Sequence, residues 1–444
     1  MDSCDGFSAK KRTYKEVSCQ HNDPNGDSQT FIRCLTQDFD DQRCQDDGFE
    51  TATSIDQAEV EDNIKRNIEV LRCNREIDPQ CLIMHKELHL KYLKKGLQNL
   101  PSSLEILDCS RPWLCYWMLH SIEILKEDIS EETKSKVIGF LSSCQHPDGG
   151  FGGGPGQEAH LAPTYAAVNA LCILRCEEAY NVINREKLLE FLLRLRKIDG
   201  SFKLHEGSET DIRGVYCALS VAMLTSVWCD ELIKNTAHWV SRCQTYEGGF
   251  GGVPDMEAHG GYTFCGLASL VLLQEGKLIN HHRLLRWLVN RQTKFEGGFQ
   301  GRTNKLVDSC YSFWQGGCFP LLHRLLAKTE PDLTTCSNWL FHQRALQEYL
   351  LIHCQAPHGG LIDKPGKSKD YYHTCYALSG LSVAQHFNYK RKVVDFILGP
   401  DDNELLYTHP IYNICVPSAV KAINYFQGLP FPKVQLAKDD TDSD

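Results

Sequence analysis

The chain has 444 residues, 42% of them hydrophobic, so it can bury a large core as one big domain or two ordinary ones. Its formal net charge of -10 argues against nucleic acid as the main partner. The chain contains no apolar run long enough to span a bilayer, and its N-terminus carries no secretion signal. We therefore expect a cytoplasmic protein that is not an integral membrane protein.

The two ends of the chain differ from its middle. Residues 1–60 are polar and acidic, which predicts a disordered extension, and residues 433–444 predict an acidic disordered tail. The interval 61–432 is expected to form the folded domain. From Val60 to Leu100 apolar residues recur with helical spacing, and Pro101 ends that pattern. Trp113 and Trp117 would then share one face of the next helix, where core packing is the ordinary interpretation.

A glycine-containing turn recurs along the chain, with a spacing of roughly fifty residues. An amphipathic helical pattern precedes each turn, and a helix rich in small residues follows it. This period predicts stacked helical hairpins, with the small-residue helices inside. We infer an all-α fold in which the hairpins close into an α-α barrel, or toroid. The five turns are Gln145–Phe151, Arg196–Phe202, Gln244–Phe250, Gln292–Phe299 and Gln355–Leu361.

One position of the repeat varies in its chemistry. It lies three residues before the tyrosine of each small-residue helix. A purely structural position is expected to hold one residue type, so the variation favours a shared cavity at the helix N-termini, where free N–H groups attract anions. Helix capping is the alternative, and it would suit Asp308. The position holds Ala162, Arg213, His259, Asp308 and His373, and His409 stands in the same relation to Tyr412.

Three of these side chains could bind a metal ion. Asp308, Cys310 and His373 offer oxygen, sulfur and nitrogen donors of the kinds that zinc accepts. Three protein ligands leave one position open, where zinc would hold a substrate thiol as the nucleophilic thiolate. The alternative is that Cys310 is an ordinary buried thiol and His373 a core histidine. The pattern alone leaves both interpretations open.

A second group of side chains would suit a diphosphate. His259, Arg302, Lys305, Tyr311 and Arg213 supply cations and hydrogen-bond donors, although Arg302 and Lys305 could instead form a solvated loop face. Aromatic residues would line an apolar funnel inside the toroid. Such a funnel suits a long hydrocarbon, whose burial is worth about 0.8 kcal/mol per methylene. The aromatic set is Trp113, Trp117, Tyr262, Phe264, Trp314 and Tyr372.

Four segments of the chain resemble the protein prenyltransferase family, and within it the β subunits of protein farnesyltransferases. The resemblance runs from about residue 85 to about residue 430. It implies an α-α barrel, a zinc ion and a heterodimer with a prenyltransferase α subunit. It also implies transfer of farnesyl from farnesyl diphosphate to the cysteine of a C-terminal Cys-a-a-X sequence. The segments are Glu247–Pro254, Ala258–Leu267, Phe299–Trp314 and Asp363–Tyr376.

The resemblance implies a role for each matched position. The zinc ligands would be Asp308, Cys310 and His373, and the catalytic set would add Lys305 and Tyr311. Thr303 and Ser309 depart from the family pattern but lie between matched residues. The substrate positions are His259, Arg302, Lys305 and Tyr311 for the diphosphate, Arg213 and Trp314 along the isoprenoid, Trp113, Trp117 and Tyr372 around the aliphatic residues of the peptide, and Asp363 beside magnesium.

Other functions remain as alternatives. The β subunit of geranylgeranyltransferase type I would share the zinc and diphosphate sites. Trp113 and Tyr376 are bulky where that enzyme is expected to have room, and Asp363 stands where it is expected to carry lysine. Terpene cyclases share the barrel, but the toroid region lacks an Asp-rich acid motif on an inner helix. A non-catalytic helical scaffold would not need Asp308, Cys310 and His373.

Overall fold

The computed structural model describes residues 42–45, 48–75, 82–329, 339–386 and 396–433. The predicted N-terminal extension up to residue 41 and the predicted tail from residue 434 lie outside the described residues. Helix α1 runs from Ala52 to Arg75 and so crosses the boundary expected at residue 60. The limits of the three predicted regions remain predictions.

Helices make up most of the regular structure in the described residues, as the all-α prediction requires. Short 3₁₀ helices cover Ser102–Ser110, Gly276–Leu278 and Asp401–Asn403, and a π-helical turn covers Tyr349–His353. The helices after α1 are α2 (Lys86–Gln98), α3 (Arg111–Ile124), α4 (Glu131–Cys144), α5 (Leu161–Ile173), α6 (Glu177–Asn181), α7 (Arg185–Leu195), α8 (Ile212–Leu224), α9 (Asp230–Ile233), α10 (Thr236–Arg242), α11 (Gly260–Leu272), α12 (His281–Val289), α13 (Tyr311–Trp314), α14 (Cys318–Leu326), α15 (Gln343–Glu348), α16 (Tyr371–Gln385) and α17 (Val416–Gln427).

A two-stranded antiparallel ladder precedes α16. Strand β1 (Leu361–Ile362) pairs with strand β2 (Lys369–Asp370), and Leu361 lies opposite Asp370. The ladder matters for the site because β2 leads directly into α16.

None of the helices in the described ranges is both long and apolar enough to cross a membrane.

Six helices form a closed inner ring. Helices α3, α5, α8, α11, α13 and α16 pack each against the next, and α16 packs against α3. The predicted closure is therefore confirmed. The small-residue helix that follows the fourth turn is short: it stops at Trp314, and the chain becomes helical again as α14. The adjacent Gly316 and Gly317 weaken helix formation at the break.

The repeated turns join the inner ring to the outer helices. In the first turn Gly149 has φ +97°, and a Cβ there would lie 1.9 Å from the Lys187 carbonyl oxygen of α7. In the fifth turn a Cβ on Gly359 would lie 2.0 Å from the Leu88 carbonyl oxygen of α2. Only glycine fits such contacts. Because the last turn packs on α2, the outer layer closes along with the inner one.

A C-terminal segment lies against the interior faces of three inner helices. The hydroxyl of Tyr116 donates to the Asn413 carbonyl at 2.6 Å, that of Tyr165 to the Tyr412 carbonyl at 2.9 Å, and that of Tyr216 to the Ile411 carbonyl at 2.7 Å. The repeat spacing predicts that Tyr412 starts a further inner helix, and this is wrong. Tyr412 lies in a turn bracketed by the Thr408–Cys415 bridge, and α17 begins only at Val416.

Candidate active site

Polar side chains accept hydrogen bonds from backbone N–H groups where the chain enters the inner helices. At each of four positions a side-chain atom accepts a hydrogen bond from the backbone amide two residues later, at 2.8–3.0 Å. Of the histidines at the varying position, His259 caps its inner helix, whereas the helix that carries His373 is capped by Asp370. In α5 and α8 the cap lies two residues before Ala162 and Arg213. The four capping residues are His160, Asp211, His259 and Asp308.

The three predicted metal donors meet in the structure. One ligand atom from each of Asp308, Cys310 and His373 lies within 4.8 Å of the others. Nε2 of His373 is 3.3 Å from Oδ1 of Asp308, and Cys310 is buried. Asp308 and Cys310 come from the loop before α13, while His373 comes from the first turn of α16. The group could hold a metal ion.

Asp370 orients the histidine of this group. Its Oδ2 lies 2.6 Å from Nδ1 of His373, and its Oδ1 accepts the His373 backbone N–H at 2.7 Å as the N-cap of α16. The Nδ1 hydrogen bond leaves Nε2 to face Asp308. Sequence reasoning missed Asp370, although an aspartate immediately before a helix is a recognisable N-cap signal.

The charges of this group are strongly coupled. Burial by itself would lower the pKa of His373, but its hydrogen bonds to Asp308 and Asp370 outweigh burial and raise the pKa to about 10. Burial likewise disfavours ionised Asp308, but the hydrogen bond with His373 prevails and lowers the pKa of that carboxyl. A proton on His373 therefore lies between two carboxylates, at a place where a metal cation would compete with it.

A histidine–tyrosine pair borders the metal donors. Nε2 of His259 lies 3.0 Å from the Tyr311 hydroxyl, and Tyr311 follows Cys310 directly in sequence. Because Nδ1 of His259 accepts the Gly261 N–H, the ring proton must be on Nε2, which donates to the Tyr311 oxygen. Burial, followed by the nearby Arg302, lowers the pKa of His259 and favours this neutral form. The Tyr311 hydroxyl proton is thus left available to another acceptor.

The predicted cations differ in their surroundings. Arg302 pairs with Glu257 at 2.7 Å in a half-exposed ion pair. Lys305 is exposed, and among the described residues it has no ion-pair partner. Arg213 is held by Asp211, with its Nε 3.0 Å from Oδ1 and 3.1 Å from Oδ2. Its guanidinium lies 5.8 Å from the ring centroid of Tyr262. Asp211 thus balances the charge of Arg213, whereas Lys305 keeps a free charge.

Aromatic rings line the inside of the barrel. Trp314 donates its indole N–H to the Tyr372 hydroxyl at 3.0 Å, and Trp113, Trp117, Trp314 and Tyr372 are all partly exposed. Aromatic contacts between and within the inner helices run round the whole ring. Their centroid separations are 5.6 Å for Trp113–Tyr165, 5.3 Å for Tyr165–Tyr216, 5.3 Å for Tyr216–Phe264, 5.4 Å for Phe264–Trp314, 4.5 Å for Trp314–Tyr376, 4.8 Å for Tyr372–Tyr376, 5.5 Å for Trp117–Tyr372 and 5.6 Å for Trp113–Trp117.

Asp363 lies beside the metal donors. The Ser309 amide donates to the Asp363 carbonyl at 2.8 Å, which joins this segment to the loop before α13. Oδ2 of Asp363 contacts the buried ammonium of Lys364. Its Oδ1 is buried and has no hydrogen-bond partner among the described residues. Burial, and next the charge of Asp308, raises the pKa of Asp363.

Comparison with known proteins agrees with this geometry. The prenyltransferase alpha-alpha toroid domain family matches residues 84–414. The protein farnesyltransferase subunit beta of Pisum sativum is 42% identical over 74% of this chain and 92% of its own length. That of Schizosaccharomyces pombe is 42% identical over 74% of this chain and 86% of its own. This chain belongs to the protein farnesyltransferase β-subunit family. The predicted resemblance is confirmed, and the chain is a subunit of a prenyltransferase enzyme.

More distant relatives of the farnesyltransferase β-subunit family set the wider context. The geranylgeranyl transferase type-1 subunit beta of Arabidopsis thaliana is 30% identical over 68% of this chain and 85% of its own length. A solved structure of Candida albicans protein geranylgeranyltransferase-I complexed with GGPP superposes with a TM-score of 0.62. It covers 77% of this chain and 99% of its own, at 23% identity. At that identity the superposition supports the toroid fold alone.

Proposed function

We propose that this chain is the catalytic β subunit of a zinc-dependent protein farnesyltransferase. It would transfer farnesyl from farnesyl diphosphate to the cysteine thiol of a C-terminal Cys-a-a-X sequence. One observation carries the proposal: the Asp308–Cys310–His373 donors adjoin the His259–Tyr311 pair at the edge of an aromatic interior. Donors for a thiol-activating metal and donors for an anionic leaving group thus stand together.

The donor group fits zinc. Its carboxylate, thiol and imidazole are all zinc ligands, and three ligands leave a position for a substrate. Asp370 supplies the carboxylate on the second ring nitrogen that metal-bound histidines usually have. When bound, zinc lowers the pKa of a coordinated thiol and so supplies a thiolate at neutral pH. The role of Asp308, Cys310 and His373 is to hold the ion, and that of Asp370 is to fix the ring of His373.

The diphosphate would be bound by donors on the neighbouring loop. Lys305 and Arg302 supply positive charge, with Arg302 exchanging Glu257 for phosphate oxygens. His259 donates to Tyr311, which directs the Tyr311 hydroxyl proton outward to the anion. These donors would stabilise the negative charge that grows on the leaving diphosphate. Asp363, with one buried oxygen lacking a partner among the described residues, would accept a magnesium ion that assists the same departure.

The farnesyl chain would lie in the aromatic interior. Arg213, fixed by Asp211 and placed over Tyr262, would border the chain near its diphosphate end. Trp113 and the buried Tyr376 would limit its length by steric exclusion. The aliphatic residues of the peptide would pack on the partly exposed aromatics beside this chain. Those aromatics are Trp113, Trp117, Trp314 and Tyr372.

The partner and the location of the enzyme follow from the same proposal. The relatives are named as subunits, so we propose a heterodimer with a prenyltransferase α subunit. We also propose a cytoplasmic location, where a Cys-a-a-X protein would meet the enzyme with its cysteine reduced.

A geranylgeranyltransferase type I β subunit is the second candidate, because a relative of that name is 30% identical. The test is to purify the chain with a candidate α subunit and measure transfer from both prenyl diphosphates to Cys-a-a-Ser and Cys-a-a-Leu peptides. We expect farnesyl to be transferred preferentially. Preference for geranylgeranyl would establish the alternative, and transfer of neither would favour a non-catalytic scaffold. Cys310→Ala is the inactive control.

A further inference from the structure

The carboxylate of Glu257 joins the two loops that carry the proposed diphosphate donors. Nη1 of Arg302 donates to Oε2 of Glu257 at 2.7 Å. Glu257 stands two residues before His259 in one loop, while Arg302 lies in the loop that leads to Lys305 and Tyr311. A diphosphate that recruits Arg302 must therefore break this ion pair.

Two other contacts join the same loops, and neither has to break when an anion binds. Nε2 of His259 donates to the Tyr311 hydroxyl at 3.0 Å, and the Gly260 amide donates to the Gly301 carbonyl at 2.9 Å. A Cβ on Gly301 would lie 2.2 Å from the ring of Tyr311, so the backbone beside Arg302 packs closely on that ring. The loops thus stay joined when Arg302 turns to a ligand, and only its side chain needs to move.

The ion pair of Arg302 is looser than that of Arg213. Asp211 accepts hydrogen bonds from Nε, Nη2 and the backbone N–H of Arg213, and its side chain is only 10% exposed. Among the described residues Glu257 makes one hydrogen bond to Arg302, and its side chain is 50% exposed. Glu257 also lines a surface cavity of about 680 Å³, which gives it room to turn into water. Because an exposed ion pair contributes little, Arg302 can be released at small cost.

The charge of Glu257 acts on the proposed diphosphate donors. Burial lowers the pKa of His259, the charge of Arg302 lowers it further, and the charge of Glu257 opposes both. The ion pair therefore lies close to the histidine that directs the Tyr311 hydroxyl. While Glu257 contacts Arg302, it neutralises one of the two proposed diphosphate cations.

We propose that Glu257 competes with the diphosphate group for Arg302, and so promotes the release of inorganic diphosphate after the transfer step. This inference rests on the proposed diphosphate site. When prenyl diphosphate binds, Arg302 exchanges a carboxylate oxygen for phosphate oxygens. After transfer, the diphosphate has lost the hydrocarbon chain that anchored it in the barrel, and the return of Arg302 to Glu257 favours its departure. Glu257 is thus a positioning residue, because it acts through Arg302.

Titration calorimetry with inorganic diphosphate, on the chain purified with its partner subunit, tests the proposal. Glu257→Gln keeps the length of the side chain but removes its charge. It should bind diphosphate about two- to fivefold more tightly, the range expected from the loss of an exposed ion pair. Asp255→Asn is the matched control, because it removes the same charge two residues away at a backbone φ of +69°, which asparagine tolerates. The control should keep the affinity of the wild type.

A double-mutant cycle separates this effect from a general effect of charge. In the Arg302→Ala background, Glu257→Gln should no longer change the affinity for diphosphate, because its partner is absent. Three outcomes would overturn the role of Glu257 and leave the diphosphate site in place: unchanged affinity in Glu257→Gln, equal tightening by Asp255→Asn, or tightening by Glu257→Gln that persists in Arg302→Ala. If the wild type does not bind diphosphate, or if Arg302→Ala binds it equally well, the proposed contact of Arg302 with diphosphate fails and this inference fails with it.

Discussion

The contact between Asp370 and His373 permits a sharp test of the proposed zinc site. The change is Asp370→Asn. Oδ2 of Asp370 lies 2.6 Å from Nδ1 of His373, while Oδ1 caps α16 through the His373 amide at 2.7 Å. Asparagine caps a helix about as well as aspartate. Since it has only one oxygen, it can keep the cap but loses the charged acceptor for the histidine ring.

The expected loss is in metal affinity rather than in stability. Replacing a carboxylate that supports a metal-bound histidine typically lowers affinity by about 10–100-fold. This range corresponds to about 1.4–2.8 kcal/mol, at about 1.4 kcal/mol for each tenfold change. The melting temperature measured without added metal should stay near that of the wild type, because the cap of α16 remains.

Competition with a zinc chelator, followed by titration, measures the change. Asp211→Asn is the matched control, because Asp211 caps α8 in the same manner but contacts Arg213 rather than a metal-binding histidine. The control should retain the wild-type zinc affinity. If Asp370→Asn binds zinc as tightly as the wild type, Asp370 does not support a metal ligand and the assignment of His373 loses its main structural argument.

Three further variants test the other parts of the site. Cys310→Ala should lose the catalytic zinc in elemental analysis, and full retention would contradict its role as a ligand. Replacing both Arg302 and Lys305 with Ala should weaken binding of farnesyl diphosphate by about tenfold or more for each cation. The reason is that a hydrogen bond to a charged group is worth about 1.5–3 kcal/mol. If titration shows equal affinity in the double variant and the wild type, the diphosphate site is rejected. Trp113→Thr should raise the use of geranylgeranyl diphosphate relative to farnesyl diphosphate in competition assays, and unchanged selectivity would remove Trp113 as the chain-length stop.

The closed ring could be predicted because every repeat contains the glycine turn that packs against an outer helix. Gly149 and Gly359 each face a carbonyl oxygen of an outer helix, so the glycine turn marks one helix-to-helix contact per unit. The meeting of Asp308, Cys310 and His373 could be predicted as well. Asp308 and Cys310 lie at the start of one inner helix and His373 at the start of the next. A closed ring brings the starts of its inner helices together.

The partners of these residues could not be predicted in the same way. Glu257 pairs with Arg302 across two loops, and Asp211 balances Arg213, yet a repeat period says nothing about where loop side chains point. Tyr412 was misplaced for a related reason. Its spacing from His409 imitates an inner helix, but carbonyl groups of this segment accept tyrosine hydroxyls from the ring, which requires a turn. Local pattern and tertiary hydrogen bonding compete there, and the latter prevails.

Ser309 explains how donors from two repeats keep a fixed spacing. Its hydroxyl donates to the Ile362 carbonyl at 2.7 Å, and its amide donates to the Asp363 carbonyl at 2.8 Å. Strand β1 is thereby attached to the loop that carries Asp308 and Cys310. Strand β1 also pairs with β2, whose last residue orients His373. The ladder therefore transmits position from one donor loop to the other. With Tyr311 next to Cys310, the thiol-activating donors and the diphosphate donors would share one rigid frame, which favours the alignment of nucleophile and electrophile.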